Sequence, residues 1–283
     1  MKSVLITGGS GTFGTAFVTR LLKKTSAFPN RIVVLSRGEH RQAEMQRELR
    51  DLDINDRLRF FVGDVRDRDR LRRAMQNIEV VVHAAALKRI EVGAYNPIEV
   101  KKTNIDGAVN VIEAATDAGV KKVVALSTDK AYQPISPYGT SKAFAESLFL
   151  AANNTTGWTG PKFAVVRYGN VWASAGSVVP TWKQILRTSD TVPVTDPDCT
   201  RFYMTLQHAV ELVADTIRLM EGGETVIPRL PAYRLGDLAE AMGAKMKVIG
   251  LPAFEKIHES MGPGNSSDET YRMDIDELRA ALR

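Results

Sequence analysis

A chain of 283 residues, 44% hydrophobic and 25% charged, has the composition of a globular protein large enough for one big core and a smaller lobe. One cysteine, Cys199, excludes an intramolecular disulfide framework and a cysteine-built metal cluster; no two of the four histidines stand at ligand spacing, so no metal site is expected. The net charge of +5 invites a polyanionic partner, but the densest basic segment, Arg66 to Arg73, alternates Arg with Asp and reads as a solvated helix face, which favours a small phosphate-bearing substrate over nucleic acid.

Met1 leads directly into an apolar strand, and no apolar run reaches the length of a membrane span. The expectation is a cytoplasmic protein with no membrane partner. Val4-Leu5-Ile6-Thr7 predicts a buried strand, and an amphipathic helix carrying Phe17, Leu21 and Leu22 follows it. Between them lies Gly8-Gly9-Ser10-Gly11-Thr12-Phe13-Gly14, whose glycines at 8, 11 and 14 let the backbone turn tightly and approach a pyrophosphate at the helix start. Such loops also serve as plain turns, but the place between first strand and first helix favours cofactor binding.

Arg31 to Leu35 predicts the second strand, ending at Ser36-Arg37 where an NAD-binding chain usually carries an acid. Arg37 and Arg41 suit a 2′-phosphate, so NADP is favoured and NAD is the lesser alternative; a solvated loop cation is the bland reading. Leu58 to Val62 predicts the third strand, followed by Asp64-Val65, with Asp64 either a partner for an adenine amine or a turn former. Val80 to Val82 predicts the fourth, running into His83-Ala84-Ala85-Ala86-Leu87-Lys88, in which the alanines admit a cofactor and His83 reads as a satisfied interior histidine.

Pro97 to Gly119 predicts one long helix interrupted on its apolar face by Asn104, whose amide either fixes the catalytic strand or bonds a loop. Val123 to Leu126 predicts the fifth strand, which delivers Ser127, Thr128, Asp129 and Lys130 to its C-terminal end. A helix from Tyr138 then places Lys142 on the same face, four residues on. A cation beside a phenol lowers its pKa, which suits a base acting on a sugar hydroxyl. Strands alternating with helices predict an α/β protein, a doubly wound parallel sheet or Rossmann fold. After Phe163 to Tyr168 the rhythm shortens, with many Gly and Pro residues. Residues 1–169 are therefore expected to form the dinucleotide-binding domain with the catalytic residues, and 170–283 mainly a substrate-binding lobe, some segments returning to the sheet. Gly262 to Asp268 reads as a polar, mobile tail.

The glycine loop, the Tyr138 and Lys142 pair and the Thr128-Asp129-Lys130 strand end together resemble the extended short-chain dehydrogenase/reductase superfamily. The resemblance is closer to the inverting UDP-N-acetylglucosamine 4,6-dehydratases in Ser36-Arg37, His83 to Lys88, Ser127 to Ala131, Val166 to Val171, Ser177-Val178-Val179-Pro180 and Thr200-Arg201-Phe202. It implies a UDP-sugar substrate, C4 oxidation by NADP, elimination of water across C5 and C6, and inversion at C5, in polysaccharide biosynthesis. By this resemblance Thr128, Asp129, Lys130, Tyr138 and Lys142 are catalytic. The cofactor is held by Gly8, Ser10, Gly11, Thr12, Phe13, Gly14, Ser36, Arg37, Arg41, Asp64, Val65, Ala84, Ala85 and Ala86, together with Tyr138 and Lys142. The substrate is held by Lys88, Thr128, Asn170, Ser177, Val178, Pro180, Thr195, Arg201 and Glu255, with Arg201 and Asn170 on the diphosphate. Lys130 would act as a partly neutral base and Asp129 as a protonated acid. A homo-oligomer is expected. Rival readings are a UDP-hexose 4-epimerase, a 5,6-dehydratase and a non-catalytic NADP-binding module.

Overall fold

Runs of Val, Ile and Leu bounded by Gly, Asp and Ser become short strands buried on both faces, the pattern that a sheet covered by helices on each side demands. The structure, a computed structural model, describes residues 1–23, 29–157 and 159–283. In chain order its elements are β1 (Ser3–Thr7), α1 (Thr12–Lys23), β2 (Arg31–Ser36), α2 (Glu39–Leu49), β3 (Leu58–Val62), α3 (Arg68–Ala74), β4 (Val80–His83), α4 (Ile90–Tyr95), α5 (Pro97–Val100), α6 (Gly107–Asp117), β5 (Lys122–Thr128), α7 (Pro137–Thr155) and β6 (Lys162–Tyr168). There follow α8 (Val178–Ile185), β7 (Thr191–Val194), β8 (Thr200–Phe202), α9 (Leu206–Leu219), β9 (Thr225–Val226), β10 (Ala232–Arg234), α10 (Leu235–Ala241), β11 (Lys245–Val248), β12 (Ser260–Gly262), β13 (Asn265–Ser266) and α11 (Ile275–Leu282).

Seven parallel strands form the central sheet in the order β3-β2-β1-β4-β5-β6-β9. The order reverses between β1 and β4, so their C-terminal ends diverge and open the crevice in which doubly wound folds bind ligands. Alternation along β1 divides the core: Val4 and Ile6 pack with Phe17, Leu21 and Val213 on one face, Leu5 with Leu71, Val111 and Phe149 on the other. The segment 206–226 is part of this layer, because α9 packs against α1 and β9 pairs with β6. A third core, built from Val179, Trp182, Val192, Cys199, Tyr233, Leu238 and Leu278, lies in the remaining C-terminal elements.

The helix from Pro97 is not regular. Residues Lys101–Asp106 form a π-helical segment between α5 and α6, the kind of wide turn that inserts a side chain where a partner needs it. Asn104 is that side chain: its amide accepts from Leu87 N–H (2.8 Å) and donates to Leu87 carbonyl (3.0 Å) and Ser141 Oγ (2.9 Å), tying the loop after β4 to α7. Of the two roles open to Asn104 the loop bond is the one seen, and its further partner is Ser141 of α7, not a residue of the catalytic strand. Helix α7 starts cleanly because Ser136 caps it by accepting from Gly139 N–H and Pro137 fills its first turn.

A buried ion pair fastens α7 to the C-terminal elements. Arg167 on β6 pairs bidentately with Glu146 of α7 through Nε to Oε1 (3.0 Å) and Nη2 to Oε2, and its Nη1 donates to the Met261 carbonyl of β12 (2.7 Å). The polar stretch from Gly262 to Asp268 is also not a loose tail. It turns back as β13 on β12, and Ser267, 1% exposed, bonds Thr200 Oγ1 (2.6 Å) and accepts from Glu259 N–H (2.9 Å). These partners, distant in the chain, satisfy groups that composition alone reads as solvated.

Candidate active site

The glycine turn lies at the end of β1, where α1 begins at Thr12. Gly8 has φ +65°, and a Cβ there would meet Ala85 N and Cα at 2.9 Å, so the turn and the end of β4 approach as closely as glycine permits. A Cβ on Gly14 would fall 2.4 Å from the Gly9 carbonyl oxygen, which fixes how tightly α1 seats on the turn. Replacing Gly14 by valine is expected to lower the melting temperature and to abolish the thermal shift given by NADP; an unchanged shift would count against this turn as the dinucleotide seat. Beside it, Ser10 Oγ donates to Ser36 Oγ (2.8 Å), which also accepts from Gln42 Nε2 (2.9 Å). Arg37 and Arg41 are exposed next to this pair.

Asp64 accepts two bonds from the Arg66 guanidinium, with Arg37 at 3.9 Å. Burial opposes its charge, but Arg66 holds the carboxyl below the usual carboxylate range. Val65 is buried behind it, and Ala84, Ala85 and Ala86 line the loop after β4. His83 bonds Thr7 Oγ1 through Nδ1 (2.8 Å), and burial first, then the Lys142 charge, pushes its pKa down to about 3. It is a neutral interior histidine.

The chemistry-bearing groups gather at the end of β5. Thr128 ends the strand, and a single 3-10 turn over Asp129–Ala131 turns Asp129 and Lys130 inward. Thr128 Oγ1 donates to Asp129 Oδ1 (2.8 Å), and Lys130 Nζ donates to the same oxygen (3.1 Å). Lys130 Nζ also lies 3.0 Å from Glu259 Oε1 and 3.5 Å from Asn170 Oδ1. Asp129 is fully buried, and its Oδ2 has no hydrogen-bond partner among the described residues.

Two electrostatic expectations need correction. The sequence suggests a partly neutral Lys130 beside positive charge; burial does lower its pKa, but Asp129 and Glu259 outweigh burial and raise it above the ordinary lysine value. The sequence also makes Lys142 the cation beside the phenol. Lys142 Nζ instead donates to the Leu126 carbonyl (2.6 Å), where burial lowers its pKa to about 8 against the pull of Glu146. Burial pushes the Tyr138 phenol up to about 12, and the cation opposing that shift is Lys130, helped by a hydrogen bond with Thr128. A helical i, i+4 spacing put Tyr138 and Lys142 on one face, but it did not fix where the amine pointed.

Of the substrate-binding candidates, Asn170 meets Lys130 and hydrogen-bonds Tyr233, whose phenol burial raises to about 12. Lys88 Nζ donates to the Ala175 carbonyl (3.1 Å), bridging the β4 loop to the segment before α8. Ser177, Val178 and Pro180 stand at the start of α8, partly buried, and Thr195 lies beside Cys199. Arg201 is not the open hook for a diphosphate that the sequence suggests. It is 4% exposed, with Nη1 on the carbonyls of Thr200 (2.7 Å) and Ile257 (2.9 Å) and Nη2 on Glu255 Oε1 (3.0 Å). Glu259 and Tyr233 stand in this cluster although the sequence does not single them out; the only signal was an acid directly after the polar run Glu255 to His258.

The cavity at the cluster is small, about 10 Å³, enclosed by Lys130, Ile135, Ser136, Phe254, Lys256 and Glu259. Lys256 fastens its outer wall by donating to the Tyr132 carbonyl (2.7 Å). The larger groove, about 440 Å³, runs along the start of α7 between Pro97, Val100, Ile105, Pro134 and Thr140 and shares Ile135 and Ser136 with the small cavity. Among the described residues no group of acids, histidines and cysteine could hold a metal ion, and no helix is long and apolar enough to cross a membrane.

The chain is similar to several known proteins. The inverting UDP-N-acetylglucosamine 4,6-dehydratase of Campylobacter jejuni subsp. jejuni (strain 81-176) is 44% identical over 276 residues, covering 96% of this chain and 81% of that protein. The UDP-glucose 4-epimerase of Rickettsia bellii (strain OSU 85-389) is 38% identical over 267 residues, covering 92% of this chain and 77% of that protein. Pen from Bacillus thuringiensis has a TM-score of 0.90 at 35% identity, covering 99% of this chain and 98% of its own. The dTDP-glucose 4,6-dehydratase DesIV from Streptomyces venezuelae, solved with NAD and TYD bound, shares the fold at TM-score 0.83 and 23% identity, covering 99% of this chain and 96% of its own. Residues 4–279 match the polysaccharide biosynthesis protein family, and on that match and the parallel sheet above, the chain belongs to this family and has the extended short-chain dehydrogenase/reductase fold.

Proposed function

We propose that the protein is an NADP-dependent dehydratase that converts a UDP-sugar, UDP-N-acetylglucosamine, to a 4-keto-6-deoxy sugar nucleotide with inversion at C5. The observation that carries this reading is the buried contact of a carboxyl, an amine and a threonine hydroxyl, Asp129, Lys130 and Thr128, near the Tyr138 phenol. An epimerase needs the phenol but has no use for a second acid and base.

The residues fit a nicotinamide dinucleotide. The turn at Gly8 and Gly14 leaves no space for side chains where the backbone must cradle a pyrophosphate. Arg37 and Arg41, exposed beside Ser36, supply charge suited to a 2′-phosphate and support NADP over NAD. When bound, the cofactor would accept a hydride from C4 and return it to C6. Tyr138 would take the 4-hydroxyl proton, its burial making it a strong base once ionised, and Thr128 would hold the 4-oxygen. Lys142, fixed on the Leu126 carbonyl, would face the nicotinamide ribose. The new ketone acidifies C5, and the Asp129 and Lys130 pair would remove that proton and protonate the departing 6-hydroxyl. Asn170 and Tyr233 would border the sugar, with Lys88, Ser177, Val178, Pro180, Thr195, Glu255 and Arg201 placed toward its nucleotide; Arg201 would have to exchange partners to reach phosphate.

Exposed Tyr95, Ile98, Ile135 and Phe144 near the groove at the start of α7 support a homo-oligomer. A cytoplasmic setting matches a soluble nucleotide-sugar substrate. Incubation with UDP-N-acetylglucosamine and NADP or NAD in deuterated water tests the reading. The expected product lacks the 6-hydroxyl and carries deuterium at C5 with inverted configuration. A galacto epimer would establish the epimerase reading instead, and a product retaining a 5,6-double bond the reaction that stops early.

A further inference from the structure

One buried acid outside the motifs faces the reaction centre. Glu259 is 1% exposed; its Oε1 lies 3.0 Å from Lys130 Nζ, and its Oε2 is buried without a partner among the described residues. Its backbone is held: Glu259 N–H donates to Ser267 Oγ (2.9 Å), Ser267 bonds Thr200 Oγ1 (2.6 Å), and Thr200 Oγ1 bonds His258 Nδ1 (2.9 Å). The other charged groups around it are Asp129, Arg201, which Glu255 engages, and Lys256, which lines the same cavity and donates to the Tyr132 carbonyl; the phenols of Tyr138 and Tyr233 border Lys130. A carboxylate buried this fully, with one oxygen on an amine and the other free, is placed for that amine and not for packing.

Two carboxyls flank the one amine, and the Arg201 charge that also reaches Glu259 is engaged by Glu255. In the dehydratase reading, on which this inference rests, the C5–H bond breaks with its electron pair left on the sugar as an enolate, and the proton passes to the Asp129 and Lys130 pair. That pair next gives one proton to the 6-oxygen; the enolate pair forms the C5–C6 double bond as the C6–O bond breaks and water leaves. A second carboxylate beside the pair favours its protonated form, so Glu259 raises the affinity of the pair for the C5 proton. Without Glu259 the pair must take that proton with one negative charge fewer beside it.

We propose that Glu259 is a positioning residue for Lys130 and the standing counter-charge of the acid-base cluster, the group that makes the Asp129 and Lys130 pair basic enough to take the C5 proton. Glu259 itself bonds to neither sugar nor cofactor.

The test uses NADP-loaded enzyme and UDP-N-acetylglucosamine, with Glu259→Gln and Glu259→Asp. In Glu259→Gln, C4 oxidation, read from reduced-nicotinamide absorbance in a single turnover, stays within about threefold of wild type. C5 deuterium incorporation and water loss fall roughly a hundredfold or more, so the 4-ketone accumulates. Its elimination rate climbs with pH because the cluster must first lose a proton to solvent, whereas the wild-type rate stays level. Glu259→Asp restores part of the rate. Elimination in Glu259→Gln within about threefold of wild type overturns the proposal. So does an equal loss of oxidation and elimination with an unchanged pH profile, which marks a merely structural side chain. A wild-type enzyme that fails to eliminate water from any UDP-sugar is a different result: it removes the dehydratase reading, and this inference with it.

Discussion

Replacing Lys130 by methionine is expected to lower dehydration of UDP-N-acetylglucosamine by on the order of 10²–10⁴ while NADP binding persists. Lys130 is the amine that contacts both Asp129 and Glu259, so its loss removes the group through which the two acids are joined. The substitution also removes the cation held between the Asp129 and Glu259 carboxyls, and two buried like charges that have lost it favour a proton on one of them. That carboxylate's pKa in the folded state then lies above its unfolded value. The folded form binds more protons, and stability falls as pH rises from the carboxylate range through the raised value. The variant should therefore melt at progressively lower temperature than wild type as pH increases. Product analysis by NMR and a melting series against pH check both halves; wild-type turnover, or a melting difference independent of pH, contradicts this account.

The second large effect concerns stability. Arg167→Met should destabilise the protein by about 3–5 kcal/mol, a fall in Tm on the order of 10 °C for a domain of this size, because it strips Glu146 of its bidentate partner, leaving it only the more distant Lys142 charge, and frees the Met261 carbonyl. The side chains are 14% and 7% exposed, so solvent cannot take over for the lost partner. Arg167→Met combined with Glu146→Leu should recover most of the loss, since a buried pair replaced whole by apolar groups costs little. Calorimetry of the single and double variants decides the matter; a single variant within about 1 kcal/mol of wild type would show the pair to be dispensable.

The parallel sheet was readable because its strands are continuous apolar runs, and a strand buried on both faces has no other local signature to confuse it. The glycine turn was readable for a related reason: Gly8 and Gly14 sit where backbone approaches backbone, a constraint that only their missing side chains can meet. Other features depended on partners far along the chain. The π-helical segment exists around the bonds from Asn104 to Leu87 and Ser141, and no periodicity in 97–119 announces them. The hairpin at 260–266 is short and glycine-rich yet ordered, because Met261 is buried in the core and the flanking Ser267 and Glu259 find Thr200 and Lys130. Glu259 and Lys130 are brought together by the return of the chain past Thr200, and their mutual effect on charge reversed the electrostatics that local spacing suggested for Lys130.

The enclosure at the cluster has room for about one water-sized sphere, and Phe254, Ile135 and the Lys256 bond to the Tyr132 carbonyl form its outer wall. A sugar ring is far larger than that space, so contact between a hexose and Lys130 through this wall would require the stretch around Phe254 to move. Substitutions in that stretch would then bear on the admission of sugars and leave the groups that transform them untouched.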